Sequence, residues 1–356
     1  MAATTAVALL VTAGCTHPRP KASDVHIGRR SRTTTSTAVI VAAPEPLAER
    51  PAPHPPGVPL LDPDGRPWGA PLVFHSDVPI PDDLVFTLVV GSDARPNEDP
   101  RRAHGDSIHL LAVDPAGRRG TVLGFPRDSW VEVPGHGNRK LTDALLLGGP
   151  DLMARTVEHL TGLPVDLYVV TGFRGLPDIV DELGGVDVYV DRTMNDRYSG
   201  ARFKPGWHHM NGGQVLAYSR DRHDVESGDF TRSLHQGNVI LSALAKMRAE
   251  VGDDDGVRRW IDVLLRHAYL DTGMETLRGL GTLARGLDPA ALTNAVVPGR
   301  VGNGPGGQSV VYLDHRAADM FLDLRPDAVL GSPPPPPTTS TTSSTTTSTT
   351  LRPLLP

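Results

Sequence analysis

The sequence predicts an α/β (α+β) fold, a central mixed sheet flanked by helices, lying between two ends of different composition. Three observations predict it. Short β-rich runs alternate with longer segments of helical apolar spacing over roughly residues 83–330. Much of the proline lies in residues 17–82 and 333–356, where apolar periodicity stops and Ser, Thr and Pro dominate. The stretch between them is long enough to bury one core.

The elements follow in order. Val85–Val90 (VFTLVV), Ser107–Val113 (SIHLLAV) and Gly120–Phe125 (GTVLGF) read as strands, and the turn residues Asp114-Pro-Ala-Gly-Arg118 make a hairpin of the second and third. A helix is expected from Pro150 to a stop at Gly162, then strand LYVV at 167–170, a helix near 173–183 and a strand Val186–Val190. Gln214–His223 is read as extended. A long helix from about Asp229 to Ala249 places Phe230, Leu234, Leu241 and Leu244 on one face. Helices near 256–270 and 274–286 and a strand around Ala295–Val297 close the domain. The organisation is therefore a leader (1–15), a Pro-rich tether (16–82), a catalytic domain (83–250), its C-terminal helical continuation (251–330) and a Pro/Ser/Thr tail (331–356).

A net charge of -6 argues against a nucleic-acid binder, so any anion site must be a local cluster. The single cysteine excludes an internal disulfide. It follows a short apolar run, and Leu10-Val-Thr-Ala-Gly-Cys15 resembles a bacterial lipobox, in which Cys15 is acylated after cleavage. An uncleaved anchor and an accidental apolar start are the alternatives. Lipidation or anchoring would place the domain outside the cytoplasm, on the membrane.

Two clusters carry chemistry. In an up-down-up meander, Asp93 after the first strand, Asp106 before the second and Arg127 after the third share one sheet edge. Two carboxylates and a guanidinium suit a divalent cation bridging phosphate oxygens; turn and cap roles are the plain alternative. In the second cluster, Arg220 and Arg222 point one way if their segment is extended. Arg232 opens the long helix with Gln236 one turn on, off the Phe230/Leu234 stripe. Such arginines bind pyrophosphate by bidentate hydrogen bonds, or else form solvated surface ion pairs.

The ordered motifs LVVGSDAR, GDSIHLLAVDP, LGFPRDSWVEVPG, KLTDALLLGGP, DELGGVDVYV, MNGGQVLAYSRDRH and GDFTRSLHQ resemble the LytR-CpsA-Psr family of cell-envelope phosphotransferases, over about residues 84–248. The resemblance implies that Asp93 and Asp106 coordinate Mg2+ and that Arg127, Arg220, Arg222, Arg232 and Gln236 bind pyrophosphate. It implies transfer of a glycopolymer phosphate from a polyprenyl-pyrophosphate carrier to a peptidoglycan hydroxyl, with Asp93, Arg127, Arg220 and Arg222 at the chemistry. The chain has His104 where the family often has arginine, Thr142 for the usual Asn and Thr231 for Gly. An apolar lipid groove is expected; Leu145, Leu146, Leu147, Leu234, Leu241 and Leu244 could line it or pack the core. Asp93 is a candidate general base if it is not fully committed to metal, His223 is read as structural, and His208 and His209 are given no role. A lipid pyrophosphatase and a non-catalytic lipid- or glycan-binding module are the rival readings.

Overall fold

Burial alternates strictly along Val85–Ser92 (β1), whose even-numbered residues are buried. β1 pairs antiparallel with Gly105–Asp114 (β2), from Val85↔Val113 to Gly91↔Ser107, and then shifts register to Ser92↔Gly105. Asp106 is the extra residue of this β-bulge. It lies inside the second strand rather than before it. Arg119–Gly124 (β3) completes the meander, antiparallel to β2. The hairpin Trp130–Val133 (β4) and Gly137–Lys140 (β5) leads into the helix Asp143–Thr161 (α1). Gly149 adopts φ 71° there, and Pro150 begins the straight segment after the kink, where a missing N–H is harmless. Gly162 (φ 63°) closes the helix, its N–H donating to the Glu158 carbonyl.

Leu167–Thr171 (β6) returns parallel to β1. Gly175–Glu182 (α2) follows, then Val186–Val190 (β7), Met194–Asp196 (β8), Ala201–Phe203 (β9) and Gly206–Met210 (β10). β7 pairs with β10 and β8 with β9 as small ribbons apart from the central sheet. Gly212–Arg220 is a helix (α3), contrary to the extended reading of 214–223. Asn211 and Gln214 form a reciprocal capping box that satisfies its first N–H groups. Then come Asp229–Glu250 (α4), Asp254–His267 (α5), Tyr269–Leu270 (β11), Met274–Gly286 (α6), Leu292–Val296 (β12), Gly299–Asn303 (β13), Ser309–Leu313 (β14) and His315–Asp323 (α7).

The central sheet has the order β11-β6-β1-β2-β3-β12, with β6∥β1 and β3∥β12 parallel and the other pairs antiparallel. Because β11 and β12 join it, the chain after residue 250 contributes both edge strands of the sheet as well as helices. One face is mostly apolar: Phe86, Leu88, Ile108, Leu110 and Leu123 share a core with Met153 and Val157 of α1 and Phe321 of α7. The opposite face carries Gly91, Ser107, His109, Gly124 and Asn294, and the Asn294 side chain donates to the Leu234 carbonyl of α4. The structure, a computed structural model, describes residues 72, 74–222 and 228–331; Cys15, most of the tether, His223 and the Ser/Thr tail lie outside the described residues. Among the described residues no helix is long and apolar enough to cross a membrane.

Candidate active site

The bulge sets the acidic side of the site. Asp93 lies just beyond β1, where its N–H donates to the His104 carbonyl and its Oδ1 accepts from the His104 N–H at 2.9 Å. The His104 ring stands 3.6 Å from Asp93 and 3.7 Å from Asp143, in the place where arginine was the family expectation. Asp106 and Ser107 are consecutive, yet both line one cavity, because the bulge breaks the strand's alternation. Arg127 follows β3 and donates from Nη1 to Asp106 Oδ1 at 2.5 Å. Burial pulls the Arg127 guanidinium down, but the charge and hydrogen bond of Asp106, with Asp128 and Asp229, hold it above the ordinary arginine value.

Two helix ends supply the basic side. Arg232 lies in the first turn of α4, 5% exposed, and pairs with Asp229 at 2.9 Å. Burial draws its pKa below the ordinary value, Asp229 opposes this, and neighbouring Arg127 adds to it. An arginine nonetheless stays charged near neutrality. A carboxylate at a helix N-terminus is also where the helix dipole favours it. Gln236, one turn on, donates from Nε2 to the Ser219 carbonyl at 3.2 Å and to the Asp106 carbonyl at 3.4 Å, tying α3 to the bulge. Arg220, the last residue of α3, lies 4.9 Å above the Phe173 ring.

Asp106, Arg127, Arg220, Arg222, Arg232 and Gln236 all line a cavity of ≈ 440 Å³, although Arg220 and Arg222 reach it from a helix end and the chain leaving it rather than from one strand. Asp93 is not in the cavity wall; it stands across the bulge from Asp106. The lining also includes the apolar Val89, Leu176, Leu216, Val239 and Ile240. None of the leucines that could either line a groove or pack the core lines this cavity. Leu145 is in the core, while Leu146 and Leu147 are 42% and 36% exposed. Leu241 and Leu244 pack on a small cluster with Leu287 and Leu292, and Leu234 is absent from the wall. His208 and His209 bond within and beside the β7–β10 ribbon, to the Lys204 carbonyl and to Asp187.

Sequence reasoning missed Asp229, Phe173 and Ser107. Asp229 was readable as the i, i+3 partner of Arg232, whereas the contact of Phe173 with Arg220 joins distant segments and leaves no local signal. Among the described residues no three His, Cys, Asp or Glu side chains converge as a metal cage. The donor set of two carboxylates beside a polar cavity fits Mg2+, which keeps waters and takes ligands from substrate phosphates.

The LytR_cpsA_psr family model matches residues 75–321. The polyisoprenyl-teichoic acid–peptidoglycan teichoic acid transferase TagU of Bacillus anthracis is 34% identical over 163 residues, 46% of this chain and 52% of TagU. The regulatory protein MsrR of Staphylococcus aureus is 33% identical over 168 residues, 47% of this chain and 50% of MsrR. The chain thus spans about half the length of these relatives. Among solved structures, TagT bound to LI-WTA superposes with a TM-score of 0.56 at 25% identity, over 68% of this chain and 90% of that one. TagV of B. subtilis shares the fold at a TM-score of 0.59 and 23% identity, over 68% and 95% of the two chains. With a family match that takes in every residue lining the cavity, the chain belongs to the LytR-CpsA-Psr family.

Proposed function

We propose that this protein transfers a glycopolymer phosphate from a polyprenyl-pyrophosphate carrier to a peptidoglycan hydroxyl at the outer side of the cell membrane. The observation that carries the reading is a single cavity whose lining combines four arginines and Gln236 with aliphatic side chains. A diphosphate needs the first and a prenyl chain needs the second. The transferase name of the TagU relative supports the same reaction class.

In the reaction the acceptor oxygen forms a bond to the phosphorus that carries the polymer. The bond from that phosphorus to the bridging oxygen breaks, polyprenyl phosphate leaves with the electron pair, and the hydroxyl proton is released. Such a step asks for alignment and charge stabilisation more than for covalent chemistry. Arg127, Arg220, Arg222 and Arg232 would bind the diphosphate oxygens and the charge that develops on the leaving phosphate. Gln236, held by the Ser219 and Asp106 carbonyls, fixes the spacing between the arginine-bearing helices and the bulge. Asp93 and Asp106 would hold Mg2+, whose chemistry when bound is neutralisation of phosphate charge. Asp93, 37% exposed at its side chain, would take the acceptor proton through an oxygen not committed to the metal. Lipidation at Cys15 would keep the domain at the membrane where its donor resides.

The test incubates the full chain with a polyprenyl-pyrophosphate oligosaccharide, a peptidoglycan fragment and Mg2+. A phosphodiester-linked product is expected. Release of polyprenyl phosphate without that product would make the protein a pyrophosphatase. No release at all, from wild type as from Arg220→Ala, would leave a binding module.

A further inference from the structure

The floor of the cavity holds a row of three residues that the phosphate chemistry does not use. Ser107, Gly91 and Thr171 are direct cross-strand partners on β2, β1 and β6, and all three line the cavity. Gly91 leaves the middle of the row open. A Cβ added there would lie 3.1 Å from the Ser107 Cβ.

The hydrogens of both flanking hydroxyls are already committed. His109, two residues from Ser107 on the same strand face, is fully buried; its Nε2 lies 2.9 Å from the Ser233 carbonyl and its Nδ1 lies 3.2 Å from Ser107 Oγ. A carbonyl only accepts, so Nε2 carries the hydrogen. Burial pushes the His109 pKa down to about 4, so the ring is neutral and Nδ1 is bare. The Ser107 hydroxyl therefore donates to Nδ1, leaving its lone pairs for the cavity. On the other side, the Thr171 hydroxyl donates to the His267 carbonyl at 3.2 Å and is left in the same condition. The seat of His109 is narrow as well, since a Cβ at Gly124 would lie 3.0 Å from Nε2.

Phosphate oxygens are acceptors and gain nothing from such a floor. Sugar hydroxyls donate. We infer that the row Ser107–Gly91–Thr171 is the subsite for the acceptor sugar, with the two hydroxyl oxygens accepting hydrogen bonds from its hydroxyl groups beside the arginine wall. This rests on the transferase reading above. Ser107 and Thr171 touch the acceptor; His109 is a positioning residue that acts through Ser107.

Two arms test it. In steady-state assays, Ser107→Ala and Thr171→Val should each raise KM for the peptidoglycan fragment by roughly three- to tenfold, the worth of one neutral hydrogen bond. KM for the lipid donor should stay within about twofold on the same grounds. His109→Leu should reproduce Ser107→Ala, and His109→Asn, which offers an oxygen near the place of Nδ1, should recover much of the acceptor KM. Equal rises in both KM values, or an unchanged acceptor KM, would overturn the assignment. The second arm needs no turnover. In full-length protein labelled with 15N-histidine, the signals absent from His109→Asn should show a protonated Nε2 and an unprotonated, hydrogen-bonded Nδ1. The Nδ1 signal should move when the peptidoglycan fragment is added to wild type and stay still in Ser107→Ala. A proton on Nδ1, or a shift caused by inorganic pyrophosphate and not by the fragment, overturns it. If wild type releases no polyprenyl phosphate, the transferase reading falls, and this arm still decides the subsite.

Discussion

The two faces of the central sheet are made from the same strands and do different work. On one, Phe86, Leu88, Ile108 and Leu110 share an apolar core with α1 and α7. On the other, one residue along each strand, Gly91, Ser107, His109 and Asn294 lie toward α4 and the cavity. A period of two residues sorts side chains between faces, so a strand can carry a dry core and a polar site at once. The apolar face holds the strands in place through burial, and this lets the other face carry polar groups and open space that add little stability.

The largest effect should come from the dry face. Phe321 is fully buried, edge-on to Phe74 and tilted against Phe125. Phe321→Ala should cost about 3–5 kcal/mol by urea unfolding, while the folded fraction keeps its transfer rate per molecule. The next effect belongs to the site. Arg220 is exposed at the end of α3, so Arg220→Ala should unfold with wild-type parameters yet lose roughly 10²–10³-fold in transfer rate, the cost of one preorganised donor. If Phe321→Ala lowered the rate of folded molecules as much, the faces would not be separable in this way.

The sequence shows the first face more readily than the second. VFTLVV, SIHLLAV and GTVLGF announce three strands, and the Asp-Pro-Ala-Gly turn joins the last two, as found in β1 to β3. The up-down-up course of these strands also puts Asp93, Asp106 and Arg127 near one another, as the Arg127–Asp106 pair beside the β1–β2 bulge shows. What it could not show was the bulge, because an extra residue in a ladder is a property of the pair of strands and not of either alone. The segment before Arg220 failed for a different reason. Gln214–Ser219 is too short for a clear helical period, and the signal that decides it, the Asn211–Gln214 capping box, lies at its start. Arg232 and Gln236 were paired correctly, since their i, i+4 spacing is local. The leucines left open between groove and core, Leu145, Leu241 and Leu244 among them, pack rather than line the cavity, because hydrophobicity marks a residue for burial without saying against what.

A third prediction concerns a polar group buried on the site face. His109 has its pKa lowered by burial from 6.5 to about 4, so the folded state resists protonation that the unfolded chain accepts. Between those two values the unfolded state binds more protons, and stability falls as the pH falls. The full loss, reached below about pH 4, amounts to about 3 kcal/mol for this group. His109→Asn should flatten the pH 4–6.5 part of the stability curve by that amount. An unchanged pH dependence in this variant would show that His109 does not set the acid sensitivity of the site face.

The smallest effect sharpens where the lipid wall lies. Leu146 is 42% exposed on α1 and touches no part of the cavity, whereas Ile240 of α4 is partly buried in its apolar wall. Leu146→Ser removes little buried area, so it should change stability by less than about 0.5 kcal/mol and leave transfer untouched. Ile240→Ser puts a hydroxyl where a prenyl chain would pack, and donor KM should rise about three- to tenfold, in line with the loss of one to two buried methylenes. Both leucine and isoleucine look equally apolar in the sequence. Their different consequences would follow from position alone, and a rise in donor KM with Leu146→Ser but not with Ile240→Ser would move the lipid from this cavity to the surface of α1.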